Sequence, residues 1–362
     1  MHTNTQPSTE EIDLFDLFAT LWKNKLTIIL FTTCTIVLAS LYAFTAKEAW
    51  TSKAQVVPAK AIQLGAFLEA ERRYYRYADI EKDFDLQDSL NNAFASFIQT
   101  LRATDNRLAF FKDSAYYQAI TADITDETAK QLQLENIAFK DTKIQETEKN
   151  KKDSFDISFT AETAHDAHDT LAKLITHSNQ VTQQKLFENL FERVEDRIAT
   201  LEQSVLNTQK ETEQNRKNQI EQFKQALQVA QSAGISDYKG QTSATMIVDF
   251  TNNNIVDLTN NNNLFLLGTN YLQAQLDALN NSPLIYAANY YQTKENIQNL
   301  KQILTIKPGG ETFEFTRTPS LPLTKDKPKK ALILLAGAVL GGVLGSLFVL
   351  LQQALRNRRK PL

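Results

Sequence analysis

Thr318-Pro319-Ser320-Leu321-Pro322 is followed by Pro328-Lys329-Lys330. Then come residues 331–351, ALILLAGAVLGGVLGSLFVLL, with Arg356, Arg358, Arg359 and Lys360 beyond. The twenty-one residues of that apolar run carry no charge, enough to cross a hydrocarbon core of ~30 Å as a helix. Gly337, Gly341 and Gly345 recur every fourth residue, and Gly342 with Ser346 repeats the spacing beside them. Small residues at that interval let two backbones approach closely in lipid, so the stripe predicts helix packing. The competing explanation is the general enrichment of glycine in membrane helices. Whatever precedes this segment must therefore return the chain to a membrane.

A second apolar run, residues 26–44, has only Thr, Ser and Cys as polar members. It is too long for the apolar stretch of a signal peptide and lacks a clear small-x-small cleavage site after it. Before it, Ile12, Leu14-Phe15, Leu17-Phe18 and Leu21-Trp22 recur at helical spacing after a start at Ser8 or Thr9. This predicts an amphipathic helix on the membrane surface with Trp22 at headgroup depth, or an extension of the span itself. Two spans put both termini on one side. Lys23, Lys25 and the four basic residues after the second span favour the cytoplasm, although Lys325, Lys327, Lys329 and Lys330 flank its other end. The expected order is 1–25 cytoplasmic, 26–46 membrane, 47–330 periplasmic, 331–351 membrane and 352–362 cytoplasmic.

Composition narrows the function. A net charge of −3 over 362 residues gives no electrostatic footprint for nucleic acid. Ten glycines are few and favour long helices over turn-rich sheets. The one cysteine, Cys34, lies in the first apolar run, so the rest of the chain holds neither a disulfide nor a thiolate metal site.

Between the spans, residues 50–58 read as a strand that stops at Pro58, and 62–77 as a helix. The latter carries Arg72, Arg73 and Arg76 among Tyr74, Tyr75 and Tyr77. Residues 88–111 form a strongly amphipathic helix through Leu90, Phe94, Phe97, Ile98, Leu101, Leu108 and Phe111. Residues 154–160 alternate cleanly, with Phe155, Ile157 and Phe159 on one face. A helix over 164–178 precedes a second over 183–232, a rod of roughly 70 Å. Phe187, Phe191, Val194, Ile198, Leu201 and Val205 make a coiled-coil-like seam on it. Residues 208–219 interrupt the seam with an almost wholly polar stretch that either crosses solvent or lines an aqueous space. An asparagine-rich loop with a short apolar insert (240–263), a helix (264–280), another after Pro283 to Ile306, a turn at Pro308-Gly309-Gly310 and a strand at 313–316 complete the pattern. The fold class is α+β. A base formed by 47–182 and 307–330 carries the long helix 183–232 and a tip with return helices, 233–306.

These landmarks resemble a known family. They are Ile12-Asp13-Leu14 … Leu21-Trp22-Lys23-x-Lys25; Val56-Val57-Pro58; and Asn92-Ala93-Phe94-x-x-Phe97-x-x-x-Leu101-Arg102 with Phe110-Phe111. Phe265-Leu266-Leu267-Gly268-Thr269 follows, and Pro319-x-x-Pro322 with Pro328-Lys329-Lys330 opens the glycine-spaced span. Together they look like the bacterial polysaccharide chain-length determinants, the Wzz family of co-polymerases. The resemblance covers both ends well and the middle patchily. It implies a periplasmic α+β base with a helical protrusion, and subunits joined into a ring-shaped homo-oligomer in the inner membrane. It also implies a non-enzymatic role without a cofactor. The protein would set the modal length of a polysaccharide, typically lipopolysaccharide O antigen, that a separate membrane-bound polymerase builds from a lipid-linked glycan. A related branch carries a tyrosine kinase, but this chain has no G-x-x-x-x-G-K-[ST] loop to hold phosphates.

Arg72, Arg73, Tyr74, Tyr75 and Arg76 are a candidate glycan or subunit contact, weighed against an ordinary solvated helix face. His165 and His168 lack a third ligand and read as surface residues, so no metal site is expected. Pro319, Pro322 and Pro328 mark the re-entry to the membrane. The competing functions are a transmembrane sensor, for which the tail after the second span is too short, and an export adaptor, which generally has a single span.

Overall fold

A computed structural model describes residues 14–147, 153–237, 246–249, 254–257 and 261–358. In chain order the elements are α1 (Leu14–Lys23), α2 (Lys25–Thr45), β1 (Trp50–Pro58), α3 (Ala61–Leu64), α4 (Ala66–Tyr77), α5 (Leu86–Arg102), α6 (Thr104–Asp113) and α7 (Ala115–Thr121). Next come α8 (Glu127–Glu135), a π-helical turn (Asn136–Asp141), β2 (Thr142–Glu146), β3 (Phe155–Ala161) and α9 (Ala164–Ser232). The last are β4 (Met246–Asp249), β5 (Asn254–Asp257), a 3-10 stretch (Asn261–Leu267), α10 (Thr269–Asn281), α11 (Ala288–Ile303), β6 (Phe313–Arg317) and α12 (Lys330–Arg358). The chain divides into two compact units. The first is Met1–Leu64 with Gln87–Gln183 and Glu311–Leu362, and the second is Gly65–Leu86 with Gln184–Gly310.

The first unit is organised on an antiparallel sheet of order β2-β3-β1-β6. The alternation in β3 buries Phe155, Ile157, Phe159 and Ala161 on one face. The helical period of α5 brings Phe94, Phe97, Ile98 and Leu101 onto that face, and the first turns of α9 add Ala167, Leu171, Leu174 and Ile175. Each of the Leu, Ile and Phe side chains contributes about 1.5–3 kcal/mol on full burial. Phe97 stacks on Phe313 with ring centroids 4.5 Å apart, which ties β6 to α5. The edge strand β2 has no counterpart in the sequence reading. Its residues, Thr-Lys-Ile-Gln-Glu, are mostly polar, and only Thr142 is buried, donating to the Ile137 carbonyl at 2.8 Å. Charged residues on an exposed edge discourage further strand pairing.

Several helices differ from their sequence-predicted form. The helix expected over 88–111 is broken at Ala103, which is extended (φ −61, ψ 130). Arg107 spans the break by donating to the carbonyls of Arg102 at 2.9 Å and Ala138 at 3.1 Å. The bend lets Phe111 of α6 join Phe97 and Leu101 in one core. The helix expected over 62–77 is split at Gly65, whose φ of 56° suits glycine.

The helices expected over 164–178 and 183–232 are instead one continuous α9. The intervening Asn179, Gln180 and Thr182 are polar but include no helix breaker. Thr182 Oγ1 donates to the Ser178 carbonyl at 2.6 Å. Asn179 Oδ1 accepts from both the backbone N–H (3.0 Å) and the Oγ1 (2.7 Å) of Thr312. Polar side chains with partners leave the helix intact. Because Thr312 is fully buried, Asn179→Ala strands two donors. Each buried unsatisfied group costs about 1–3 kcal/mol, so the variant is expected to lose roughly 2–4 kcal/mol. Urea unfolding of the detergent-solubilised chain measures this, and a loss within error of zero would refute it.

In the second unit α9 carries the seam. Phe187, Val194, Ile198 and Leu201 are buried with Ile297, Leu300 and Ile303 of α11 and Phe67 of α4. The Arg197 guanidinium donates to the carbonyls of Ala78 and Asp79, closing the end of α4. Further along, Ala226 and Ala230 pack with Leu264 and Leu272. The expected helix over 264–280 is interrupted at Gly268 (φ 84), where the backbones of Thr269 and Asn270 donate to the carbonyls of Ile235 and Ser236. A Cβ there would sit 2.8 Å from Asp237 Cα, so only glycine fits. Within the stretch expected to be loop, 240–263, β4 and β5 pair antiparallel from Met246↔Asp257 to Asp249↔Asn254, and Asn261 opens the 3-10 stretch. The rest of that expectation lies outside the described residues. α10 ends at Asn281, just before Pro283, and α11 begins only at Ala288.

Candidate functional site

α2 and α12 are both long and apolar enough to cross a membrane, with mean hydropathies of 2.0 and 2.4 over Lys25–Thr45 and Lys330–Gln353. They pack on each other within the first unit. A Cβ added to Gly337 would lie 2.8 Å from Ala39 Cβ, one at Gly341 2.6 Å from Thr32 Cα, and one at Gly345 3.0 Å from Ile28 Cα. Phe31 and Phe348 close the same interface at 5.0 Å. The threonines opposite the glycines bond back into their own helix, Thr32 to Ile28 at 2.8 Å and Thr35 to Phe31 at 3.0 Å. Polar hydroxyls therefore stand in the seam without unpaired donors. Gly342 behaves differently: a Cβ there meets nothing within 4 Å. It lies off the α2 contact, because one residue turns a helix by about 100°. The outer faces carry Leu30, Val37, Leu41, Leu335, Val339 and Leu347, all exposed, as a lipid-facing surface requires.

α1 is a separate helix from α2, set off at Asn24, whose side chain donates to the Thr20 carbonyl at 2.9 Å. Phe18 and Trp22 are exposed and stacked, with Lys25 5.4 Å from the Trp22 ring. The predicted start at residues 8–13 lies outside the described residues.

The proline segment closes the chain onto β1. The β1–β6 ladder shifts register at Gln55/Val56. Past that point Ser320 takes over: its backbone N–H donates to Lys53 at 3.0 Å, its Oγ accepts from the Lys53 N–H at 3.1 Å, and its carbonyl accepts from Ser52 Oγ at 2.7 Å. Asp326 and Lys327 then bond Ala49 across an isolated bridge. Pro319, Pro322 and Pro328 flank these contacts. Having no N–H, they cannot extend β6 along β1. At the membrane edge Lys330 Nζ lies 4.0 Å from the Phe44 ring, and Lys325 pairs with Glu48 at 2.5 Å. The Lys325 hydrogen bond holds the Glu48 carboxyl below the ordinary carboxylate range. The pair's support is therefore present above that range and lost as pH falls through the lowered value.

On α4 the helical period puts Tyr74 on the buried face with Phe67 and Ala70, beneath Arg193 at 5.2 Å. Tyr74 is thus core and unavailable to a glycan. Arg73 is paired with Glu69 at 2.8 Å, and Arg72 and Tyr75 both contact the Phe84 ring. Arg72 and Arg76 are exposed. His165 and His168 both pair with Asp169, and among the described residues no three His, Cys, Asp or Glu side chains form a metal-sized group. Two features escaped the sequence reading. One is the Glu48–Lys325 pair, because nothing local links residues so distant. The other is a tyrosine cluster, Tyr286 just before α11 with Tyr290 and Tyr291 on its first turn, whose signal is the close spacing of aromatic residues.

Residues 10–114 match the family described as Wzz, chain length determinant protein. The chain is 30% identical over 349 residues to a chain length determinant protein of Escherichia coli, covering 96% of this chain and 94% of that one. The corresponding Shigella flexneri protein matches at the same identity and coverage. Among solved structures, a full-length bacterial polysaccharide co-polymerase superposes with a TM-score of 0.70 at 25% identity, over 96% of this chain and 100% of that one. The Shigella flexneri lipopolysaccharide O-antigen chain-length regulator shares the fold, with a TM-score of 0.57 at 19% identity over 76% of this chain and 100% of that one.

Proposed function

Because this chain belongs to the Wzz family of chain length determinant proteins, we propose that it sets the modal length of O antigen on lipopolysaccharide without catalysing a reaction. It sits in the inner membrane with both termini in the cytoplasm and the bulk of the chain in the periplasm. It assembles side by side into a ring and acts on a membrane-bound polymerase and its lipid-linked growing glycan. The observation that carries this reading is the match over 96% of the chain to chain length determinants, joined to the glycine-seamed helix pair that anchors one base unit at both ends. The ring's geometry decides when extension stops. Arg72 and Arg76 are exposed on α4 and open to a neighbouring subunit. Deleting the gene is expected to leave polymer made but with a broad, unregulated spread of lengths on a lipopolysaccharide gel. An unchanged ladder would sink the proposal.

A further inference from the structure

The connection between α10 and α11, residues 282–287, runs beside the polar middle of α9 and leaves a groove of about 440 Å³. That volume falls within the usual range for small-molecule sites. Thr212, Asn215, Arg216, Gln219, Gln275 and Leu284 are among its lining residues. Other amides on α9 pair with one another one turn apart, Gln203 with Asn207 at 2.9 Å and Gln214 with Asn218 at 2.8 Å. The side chains of Asn215, Arg216 and Gln219 do not: they have no hydrogen-bond partner among the described residues. Gln275 donates one amide hydrogen to Tyr271 at 3.2 Å and keeps its carbonyl free. The chain continues directly from the groove into the tyrosine cluster. Tyr290 is buried and accepts from Gln209 at 2.8 Å. Tyr286 stacks on it at 4.1 Å, and Tyr291 stands edge-on to both while remaining 55% exposed.

This combination has a specific chemistry. Side-chain amides present a donor beside an acceptor, and a guanidinium presents paired donors, at the spacing of vicinal hydroxyls. The negative faces of rigid aromatic rings attract the polarised C–H face of a pyranose. No carboxylate lines the groove: its polar side is Thr212, Asn215, Arg216, Gln219 and Gln275, and Ala278, Leu279, Pro283, Leu284 and Ile285 form the apolar side. We propose that the groove holds a short segment of polysaccharide. Sugar rings rest against Tyr286 and Tyr291, and hydroxyls bond Asn215, Arg216, Gln219 and Gln275. The identity of the glycan, O antigen, rests on the functional reading above; the groove chemistry does not.

The test uses the full chain in detergent and, as probe, delipidated polysaccharide released from the cells' own lipopolysaccharide by mild acid. Saturation-transfer NMR is expected to show ring protons of the probe contacting the wild-type protein. Asn215→Ala combined with Gln219→Ala is expected to weaken binding roughly tenfold, and Tyr291→Ala severalfold, with thermal unfolding unchanged because these side chains are exposed. Absent transfer from wild type, or equal binding by wild type and variants, overturns the assignment. A change of particle size by light scattering with glycan binding intact also overturns it, in favour of a second copy. An unaltered ladder in the deletion strain fails the regulatory reading. A broadened ladder on deletion, with a normal ladder and unchanged glycan binding in the groove variants, fails the groove alone.

Discussion

Gly341→Leu is expected to abolish modal length control while the protein remains inserted and abundant in the membrane fraction. The reason is steric and local. A Cβ at Gly341 already lies 2.6 Å from Thr32 Cα, and that neighbour is backbone, so no rotamer change relieves it. α2 and α12 must separate or rotate, and overpacking of this kind costs about 1–3 kcal/mol, occasionally more. Insertion survives because leucine favours the bilayer core. Control is lost because the two helices fix where both ends of the base enter the membrane. Gly342→Leu is the matched comparison: the same residue type is added one position along, where nothing lies within 4 Å, and the ladder should be close to wild type. A wild-type ladder from Gly341→Leu would show that the seam has no part in the function.

Phe97→Ala carries the largest expected loss of stability, about 3–5 kcal/mol. Phe97 is fully buried, and its ring lies between α5 and Phe313 of β6. Truncation leaves a cavity at the strand that returns the chain to the base, so β6 and the closure at Ser320 loosen together. Leu132→Ala, on a side chain exposed on α8, should stay within about 0.5 kcal/mol. Chemical unfolding of the two variants side by side reads the difference, and similar midpoints would remove Phe97 from the core that holds β6.

The membrane helices, β1, β3 and the buried faces of α5 and the α9 seam were legible in the sequence because each is a local pattern. An uncharged run of twenty-one residues, a strict alternation at 155–159 or a four-three spacing from Phe187 needs no knowledge of the rest of the chain. The site was legible only in outline. Gly337, Gly341 and Gly345 were marked for packing by spacing, but Gly342, marked with them, faces away from α2, and Tyr74 proved to be core. Where local patterns conflicted with distant partners, the partners won. Periodicity continued through Ala103, yet the chain bends there so that Phe111 and Leu101 share a core. Polarity suggested a break near Asn179, yet Thr312, more than a hundred residues on, supplies the donors that let α9 run through.

The sequence by itself determined that this chain spans a membrane twice and carries a long helix and a small sheet between the spans. Hydrophobic length and period are properties of consecutive residues and need no partner to be read. Only the tertiary structure decided that the glycine face of α12 lies on α2 of the same chain, that Ser320 replaces β6 beside the first half of β1, and that Lys327 pairs with Ala49 just before it. It also set the polar middle of α9 beside the α10–α11 connection as a groove. Each of these joins residues far apart in sequence, and contact at that range is chosen by packing and hydrogen-bond satisfaction across the whole fold.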